Sequence, residues 1–304
     1  MKTPSHPPAG STPRRGSPTS SRRTRPRLGG IAGLLLALLF SSLNPAQAQD
    51  RSFPYSLGKQ DLVLLPLGLG MVSLGSSLGD ATDPITREEI SRLHQSDVNG
   101  FDRSATDNWS PAWGGRSDEY RDWLVRGAFL FLGAEGVNAL AHRRFAEVAT
   151  LGVMFGELYL FTAGATYMTK AIVGRKRPYV FNPDMSVDER FHIASSDGNE
   201  VFFSFFSGHA SAAFATAAFA STLFMDIHGK SVWSHLVWGS TLTFAALTGY
   251  SRVKAGVHYP SDVIVGAMVG SAIGHLVPRL HRKGAEGRVS LLASPTSIGV
   301  RLRF

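Results

Sequence analysis

Cysteine is absent from the 304 residues of this chain. Disulfide bonds, cysteine metal ligands and cysteine nucleophiles are therefore excluded. The formal net charge is +8, but residues 1–48 hold seven of the 31 basic residues and no acidic residue. Removing these seven leaves 24 basic residues against 23 acidic ones. The basicity thus belongs to the start of the chain, and the sequence predicts no nucleic-acid partner.

Residues 1–48 have the composition of a targeting segment. An arginine-rich stretch precedes the short apolar run IAGLLLALLF, and Ala46 and Ala48 follow in the small-x-small arrangement that signal peptidase accepts. The apolar run is too short to span a bilayer comfortably. We expect a signal peptide or leader that is cleaved after Ala48, and an uncleaved anchor is the alternative.

Six apolar stretches of roughly membrane-span length follow the leader. They cover residues 62–79, 124–141, 146–169, 210–225, 233–250 and 262–277. Their many small residues allow close helix approach in lipid. Because Arg126, Glu135 and Glu157 interrupt two of them, a soluble helical domain stays open as an alternative. The sequence predicts an all-α bundle of about five to six membrane-embedded helices.

The chain divides into four segments by composition. The leader 1–48 is followed by an apolar segment and polar loop at 49–123, the main helical domain at 124–280, and a basic linker with a short C-terminal β-hairpin at 281–304. The hairpin is predicted because SIGVRLRF at the end of the chain alternates apolar and polar residues, as a strand does. The glycine-rich stretch 62–79 is expected to lie against the bundle without fully crossing the membrane.

Three polar clusters interrupt the main helical domain. They are KAIVGRKRP at 170–178, FSGH at 206–209 and SRVKAGVHYPSD at 251–262. The short connection between 210–225 and 233–250 makes those two helices antiparallel neighbours. Antiparallel counting then places all three clusters at the same end of the bundle, where they can form one site.

The cations of these clusters suit a multiply charged anion. Arg177 and Arg252 offer a planar fork that matches phosphate oxygens, and Lys170 adds a point charge. Ser207 and Gly208 stand where a helix begins, and free N–H groups at a helix start favour phosphate. No pattern of metal ligands accompanies them, so we expect phosphate binding without a metal or another cofactor.

Two histidines suit opposite roles in phosphoryl transfer. His258 and Asp262 are four residues apart across the start of a helix, which predicts a pairing that fixes the tautomer and presents the other ring nitrogen as a nucleophile. His209 is able to protonate the departing oxygen. His228 and His281 are expected at the surface and His275 in packing.

The three clusters resemble the signature of the type 2 phosphatidic acid phosphatase (PAP2) and vanadium haloperoxidase superfamily. That signature is Lys, six residues, Arg-Pro; then Pro-Ser-Gly-His; then Ser-Arg, five residues, His, three residues, Asp. The spacing agrees in all three blocks, over roughly residues 120–280. Phe206 departs from the pattern, since the family has proline there. Loss of that proline removes rigidity and no functional group, so we expect reduced or retuned activity.

The resemblance implies an all-α bundle of the membrane phosphatase type, in which 124–280 is the catalytic domain. It implies phosphate binding by Lys170, Arg177, Ser207, Gly208 and Arg252. It also implies His258 as the nucleophile that forms a phosphohistidine, Asp262 as its orienting partner and His209 as the general acid. The implied reaction is metal-independent hydrolysis of a lipid phosphomonoester or pyrophosphate.

Three other functions stay open on the sequence. They are a soluble periplasmic acid phosphatase, a vanadium-dependent haloperoxidase in which His258 would bind vanadate, and a membrane protein with a vestigial site. Neither the lipid nor the oligomeric state can be predicted.

Basic residues predict the orientation in the membrane. They concentrate at 142–144, Lys230 and 279–283, all at the end of the bundle opposite the site. The positive-inside rule places that end in the cytoplasm. We therefore expect a bacterial inner-membrane protein whose site faces the periplasm.

Overall fold

A computed structural model of the protein describes residues 53–80 and 82–284, and the backbone of residues 289–294 and 297–302. The predicted leader 1–48 lies outside the described residues, so its cleavage stays a prediction. The described chain up to residue 284 is built almost entirely from helices, which confirms the all-α prediction for the main domain.

The α-helices are numbered in chain order. They are α1 Asp61–Asp80, α2 Arg87–Ser91, α3 Pro111–Ala141, α4 Phe145–Val173, α5 Val187–Asp197, α6 Gly208–His228, α7 Val232–Lys254 and α8 Pro260–Leu280. Short 3₁₀-helices cover Gln95–Asp97, Arg103–Asp107, Pro178–Phe181 and Gly198–Phe202.

Two strands follow the helices, and they are β1 Val289–Ser294 and β2 Ser297–Leu302. Their backbones pair antiparallel, with Val289 opposite Leu302. The side chains of both strands lie outside the described part of the chain. Residues 295–296, which would join the strands, also lie outside the described residues, so the predicted C-terminal hairpin stays a prediction.

Five of the described helices are long and apolar enough to cross a membrane, namely α1, α3, α4, α6 and α8. Helix α1 is a 20-residue helix with the length and hydropathy of a membrane span, and the expectation that 62–79 lies against the bundle without fully crossing the membrane stays a prediction. Helix α1 packs along α4 at short range. A Cβ atom on Gly75 would lie only 2.6 Å from the backbone nitrogen of Met168.

The helix directions bring the three polar clusters together, as predicted. Helices α4 and α7 finish at one end of the bundle, and α6 and α8 begin there. A stripe of glycines on α8 lets it run parallel to α6 at backbone contact, since a Cβ on Gly266 would lie 2.6 Å from the carbonyl oxygen of Ser207. We call this end the site end and the opposite one the far end.

The connection between α1 and α3 and the connection between α4 and α6, which we call the first and second polar connections, pack against each other and cover the site end. Their shared core contains Ile85 and Ile90 from the first connection and Tyr179, Val180 and Val201 from the second, all buried. Burial of these apolar side chains holds two otherwise irregular segments in place. The connections therefore form a fixed cap, from which further side chains reach the site.

Candidate active site

His258 lies in the connection between α7 and α8, with only 1% of its surface exposed. Its Nδ1 is 2.8 Å from the carbonyl oxygen of Ser204, so Nδ1–H donates there and Nε2 keeps its lone pair. Burial lowers the pKa of His258 well below its ordinary value, and the charges of Arg252, Lys170 and Arg177 lower it further. The ring is a neutral imidazole suited to nucleophilic attack.

Asp262 does not hold His258 in the way the sequence predicts. Its Oδ2 is 3.6 Å from Nδ1 of His258, beyond hydrogen-bond distance. The carboxylate instead accepts hydrogen bonds from Ser204 Oγ at 2.5 Å and from the backbone nitrogen of Tyr259 at 2.9 Å. The carbonyl of Ser204 orients the ring directly, and Asp262 fixes the segments on either side of it.

Arg175 was missed by sequence reasoning and lies beside this cluster. Its Nη1 donates to Asp262 Oδ1 at 2.6 Å, and its Nη2 donates to Asp102 Oδ2 at 2.8 Å. The guanidinium also lies 3.8 Å from the centroid of the Tyr259 ring. Arg175 falls within the six-residue spacer of the first signature block, whose content the signature leaves open.

Asp102 anchors the first polar connection to the start of α8. Burial would raise the pKa of Asp102, but hydrogen bonds from Arg175, Ser261 and Asn99 outweigh it, and the pKa is lowered. Its oxygens accept from the nitrogen and the hydroxyl of Ser261 at 3.0 and 2.6 Å. Asp102 is thus a charged carboxylate that shares Arg175 with Asp262.

Two of the predicted phosphate-binding cations converge on one carboxylate. Arg177 Nη2 lies 2.6 Å from Glu200 Oε2, and Lys170 Nζ lies 3.6 Å from the same oxygen. The other guanidinium nitrogen of Arg177 donates to Asp197 Oδ2 at 3.1 Å. Lys170 and Arg177 are therefore arranged to share a single anionic group.

Arg252 adds a third, less satisfied cation. It lies in the last turn of α7 and is 9% exposed. Its Nε is buried without a hydrogen-bond partner in the part of the chain that the structure describes. A buried guanidinium with an unused donor favours the binding of an anion.

Ser207 and Gly208 form the start of α6, as predicted. Ser207 caps the helix, its Oγ accepting from the nitrogen of Ala210 at 3.4 Å. A Cβ on Gly208 would lie 3.0 Å from Cγ2 of Thr166, one turn before Lys170 on α4. The N-terminus of α6, the positive end of its helix dipole, therefore packs closely against α4, the helix that carries Lys170.

Phe206 takes the family's proline position without opening the segment. It is buried and packs edge to face with Phe205. Backbone hydrogen bonds hold both sides, from Ser204 N to Arg175 O at 2.9 Å and from Ser207 N to Asp262 O at 3.1 Å. Packing and hydrogen bonds thus supply the order that proline would give.

His209 contacts two residues of α3 that the sequence did not single out. Its Nε2 lies 2.7 Å from Asp118 Oδ1 and 2.7 Å from Arg121 Nη1. Asp118 favours a proton on Nε2, which a general acid requires, whereas the charge of Arg121 on the same nitrogen opposes it. Asp118 and Arg121 are one turn apart on α3, in a stretch that sequence reasoning assigned to the polar loop.

An elongated cavity of about 470 Å³ opens below these residues, between α3, α4 and α6. Lys170 and His209 line its upper part, and Leu158 and Ala215 line its lower part. Since Leu158 and Lys170 are 12 residues apart on α4, the cavity extends about 18 Å along that helix. The polar site therefore continues into a largely apolar channel.

Comparison with known proteins agrees with the signature. Residues 151–285 match the PAP2 superfamily. The lipid A 1-phosphatase of Rhizobium johnstonii is 29% identical over 155 residues, which cover 49% of this chain and 58% of that protein. The lipid A 1-phosphatase of Rhizobium etli is 27% identical over 211 residues, which cover 67% of this chain and 75% of that protein.

The match to the first of these relatives spans less than two thirds of its length. No solved structure matches the chain. The matched residues 151–285 include Lys170, Ser207, His209, His258 and the rest of the three signature blocks. The resemblance is thereby confirmed for residues 151–285, which are similar to the PAP2 superfamily.

Proposed function

We propose that this protein is a metal-independent phosphatase that removes phosphate from a membrane lipid through a phosphohistidine on His258. The observation that carries the proposal is the buried imidazole of His258, whose Nδ1 donates to the carbonyl of Ser204 and which lies among the charges of Lys170, Arg177 and Arg252. Both relatives are named lipid A 1-phosphatases, which makes a lipid A 1-phosphate group a candidate substrate here. Phosphatidate, phosphatidylglycerol phosphate and undecaprenyl pyrophosphate are the other candidates.

The first half-reaction follows from the positions of the side chains. The three cations and the start of α6 bind the phosphate oxygens and stabilise the charge of the transition state. Nε2 of His258 attacks phosphorus, and the bond from phosphorus to the lipid oxygen breaks. His209 gives its proton to that oxygen, and the lipid alcohol leaves.

The second half-reaction restores the enzyme. Neutral His209 removes a proton from water, and the water oxygen attacks phosphorus. The bond from phosphorus to Nε2 of His258 breaks, and inorganic phosphate is released. Asp118 and Arg121 hold the His209 ring during both proton transfers.

The cavity supports a lipid rather than a small phosphoester as substrate. It is largely apolar, and its length of about 18 Å is more than half of a hydrocarbon core of about 30 Å. Tyr159 and Tyr167 line it and are 39% and 44% exposed on the outer surface of the bundle. A lipid chain can occupy the channel while its phosphate lies at the site end.

Phosphate release by purified full-length protein in detergent tests this function. Wild type and His258→Gln are assayed with EDTA on lipid A, phosphatidate, undecaprenyl pyrophosphate and p-nitrophenyl phosphate. We expect release from one or more lipids by wild type and none by the variant. Preference for p-nitrophenyl phosphate without detergent would favour the soluble phosphatase, and vanadate-dependent halide oxidation would favour the haloperoxidase.

We propose further that the site end faces the periplasm, which the basic far end supports through the positive-inside rule. The chain at Tyr55 also lies at the far end, where it forms a β-bridge with Arg282. If α1 crosses the membrane and the leader is cleaved on the periplasmic side, Tyr55 lies in the periplasm. The far end, to which Tyr55 belongs, would then be periplasmic as well. A cleaved leader and a periplasmic site therefore exclude each other.

The lack of cysteine makes this orientation easy to test. Single-cysteine variants Ser196→Cys at the site end and Lys230→Cys at the far end are both at exposed positions. A maleimide that does not cross the inner membrane is added to spheroplasts and to lysed cells. We expect labelling of Ser196→Cys in both and of Lys230→Cys only after lysis. The reverse pattern would place the site in the cytoplasm.

A further inference from the structure

A second group of ionisable side chains lies at the far end, apart from the catalytic site. Asp61 begins α1, Glu157 lies within α4, and His281 directly follows α8. All three are at least nine-tenths buried. The expectation of a surface position for His281 is wrong, and Glu157 faces it.

The atoms that face one another in this group have no hydrogen-bond partner among the described residues. They are Asp61 Oδ1, both carboxylate oxygens of Glu157, and His281 Nε2. Buried polar atoms without a hydrogen-bond partner destabilise the fold unless something binds them. The arrangement thus favours a cation, either a metal ion or a shared proton, between the three side chains.

Neighbouring groups have already fixed the orientation of two of these side chains. His281 Nδ1 donates to the carbonyl of Val277 at 2.8 Å, which leaves the lone pair on Nε2. Asp61 Oδ2 accepts from the nitrogen of Gly58 at 2.7 Å, which leaves Oδ1 directed at the histidine. Histidines that bind a metal through one ring nitrogen commonly donate a hydrogen bond from the other ring nitrogen, for example to a backbone carbonyl.

The spacing fits a tetrahedral metal site. His281 Nε2 lies 3.1 Å from Asp61 Oδ1 and 3.5 Å from Glu157 Oε2. The ligand atoms of the three residues all lie within 4.8 Å of one another. Metal bonds of about 2.0–2.2 Å in a tetrahedron place neighbouring ligand atoms about 3.3–3.6 Å apart.

We propose that Asp61, Glu157 and His281 bind one divalent first-row metal ion, with Zn²⁺ as the best fit to one imidazole and two carboxylates. The site is structural. It joins the start of α1, the middle of α4 and the end of α8, three elements that are distant in the sequence. The catalytic histidines lie at the other end of the bundle, so phosphoryl transfer does not use this ion.

The surrounding contacts show what the ion would hold together. Ser56 N donates to the carbonyl of His281 at 2.8 Å, and Lys283 N donates to the carbonyl of Pro54 at 2.9 Å. Tyr55 donates to Asp226 Oδ2 at 2.6 Å. These bonds fasten the segment before α1 to the end of α8, and a metal ion would close the same junction from inside.

Metal analysis of the purified full-length protein, without a histidine tag, tests the proposal. The protein is stripped with a chelator, reloaded with Zn²⁺ and freed of excess metal. Wild type should hold about one Zn²⁺ per chain, and Glu157→Gln and His281→Gln should hold almost none. Asp226→Asn is the matched control, because its carboxylate lies at the same end but pairs with Tyr55 and Arg282; it should hold as much as wild type.

Co²⁺ loading of wild type gives a readout that needs no variant. Four-coordinate Co²⁺ with nitrogen and oxygen ligands should show intense visible absorption that Zn²⁺ abolishes in competition. Wild type that binds no stoichiometric metal and shows no such band would overturn the proposal. Equal zinc in wild type, Glu157→Gln and His281→Gln would overturn it as well. Either result would leave a shared proton as the bridge between the three side chains.

Discussion

Arg175 and Asp262 form a short ion pair of 2.6 Å at the start of α8, and the same guanidinium reaches Asp102 at 2.8 Å. One arginine from the connection after α4 thus ties the cap of the site to the helix whose first turn carries Asp262. His258 lies four residues before Asp262, and Ser204, which orients the His258 ring, donates to the same carboxylate. The nucleophile therefore depends on a network larger than a pair.

Substitution of Arg175 should lower activity, although Arg175 contacts Asp102 and Asp262 and is not one of the proposed phosphate-binding residues. Arg175→Ala leaves Asp102 and Asp262 without their shared cation, and misplacement of the nucleophile by about 1 Å costs about 100-fold in rate. Arg175→Lys should recover only part of the lost activity, since lysine cannot bridge both carboxylates. Initial rates of phosphate release measure the effect. Lys176→Ala is the control, and an active Arg175→Ala enzyme would contradict the network.

Removal of the Glu200 charge should strengthen anion binding. The carboxylate lies against Lys170 and Arg177 in the place that suits a phosphate group, so it competes with the substrate. Because the side chain is about half exposed, the gain for Glu200→Gln is about 1 kcal/mol, or about 5-fold. Competitive inhibition by inorganic phosphate measures it, with the surface variant Asp188→Asn as control. Weaker inhibition in Glu200→Gln would show that Glu200 supports the site.

Filling the cavity should impair lipid substrates selectively. Ala212 lines the cavity beside the catalytic site, whereas Ala218 on the same helix lines a separate cavity near α7 and α8. Ala212→Phe should lower kcat/KM for a long-chain lipid phosphate about 10-fold or more and leave p-nitrophenyl phosphate nearly unchanged. Ala218→Phe serves as the matched control. Equal loss on both substrates would mean that the cavity does not hold the lipid.

His258 should make the folded protein less stable in mild acid. Its pKa is lowered in the folded state, so only the unfolded chain takes up a proton as the pH falls below about 6.5. The contribution of neutral His258 to the free energy of unfolding is therefore complete above that pH. Below it, the free energy of unfolding falls by up to about 1.4 kcal/mol per pH unit. The Tm of His258→Asn should therefore fall less than that of wild type between pH 7.5 and pH 5.5.

A control separates this effect from general acid destabilisation. His192→Asn alters an exposed histidine in α5 and should leave the pH dependence of the Tm as it is in wild type. Identical slopes for wild type and His258→Asn would show that His258 is protonated in the folded protein.

The helices and the main site residues could be predicted because their signals are local. Length and hydropathy marked the apolar stretches, and fixed spacing marked Lys170, His209 and His258. The residues that were missed contact partners that are distant in the sequence. Asp102 and Asp118 approach their partners Arg175 and His209 only after the cap and α3 have packed, and no sequence interval encodes those contacts.

The pairing of His258 shows a second limit. Four-residue spacing between His258 and Asp262 predicts a direct hydrogen bond, but the backbone of Ser204 reaches the ring first. Every residue has a backbone carbonyl, so a sequence pattern does not reveal which carbonyl accepts a hydrogen bond. The surface prediction for His281 failed for a related reason, because its partners Asp61 and Glu157 are far away in the chain.

Trapping of the covalent intermediate tests the central claim most directly. Full-length wild type, His209→Gln and His258→Gln are mixed with the preferred lipid phosphate, quenched in alkali to preserve phosphohistidine, and mapped by mass spectrometry. We predict phosphate on His258 in wild type, and in any labelled fraction of His209→Gln, with none in His258→Gln. Turnover by wild type without phosphate on His258, or by His258→Gln at the wild-type rate, would contradict the account.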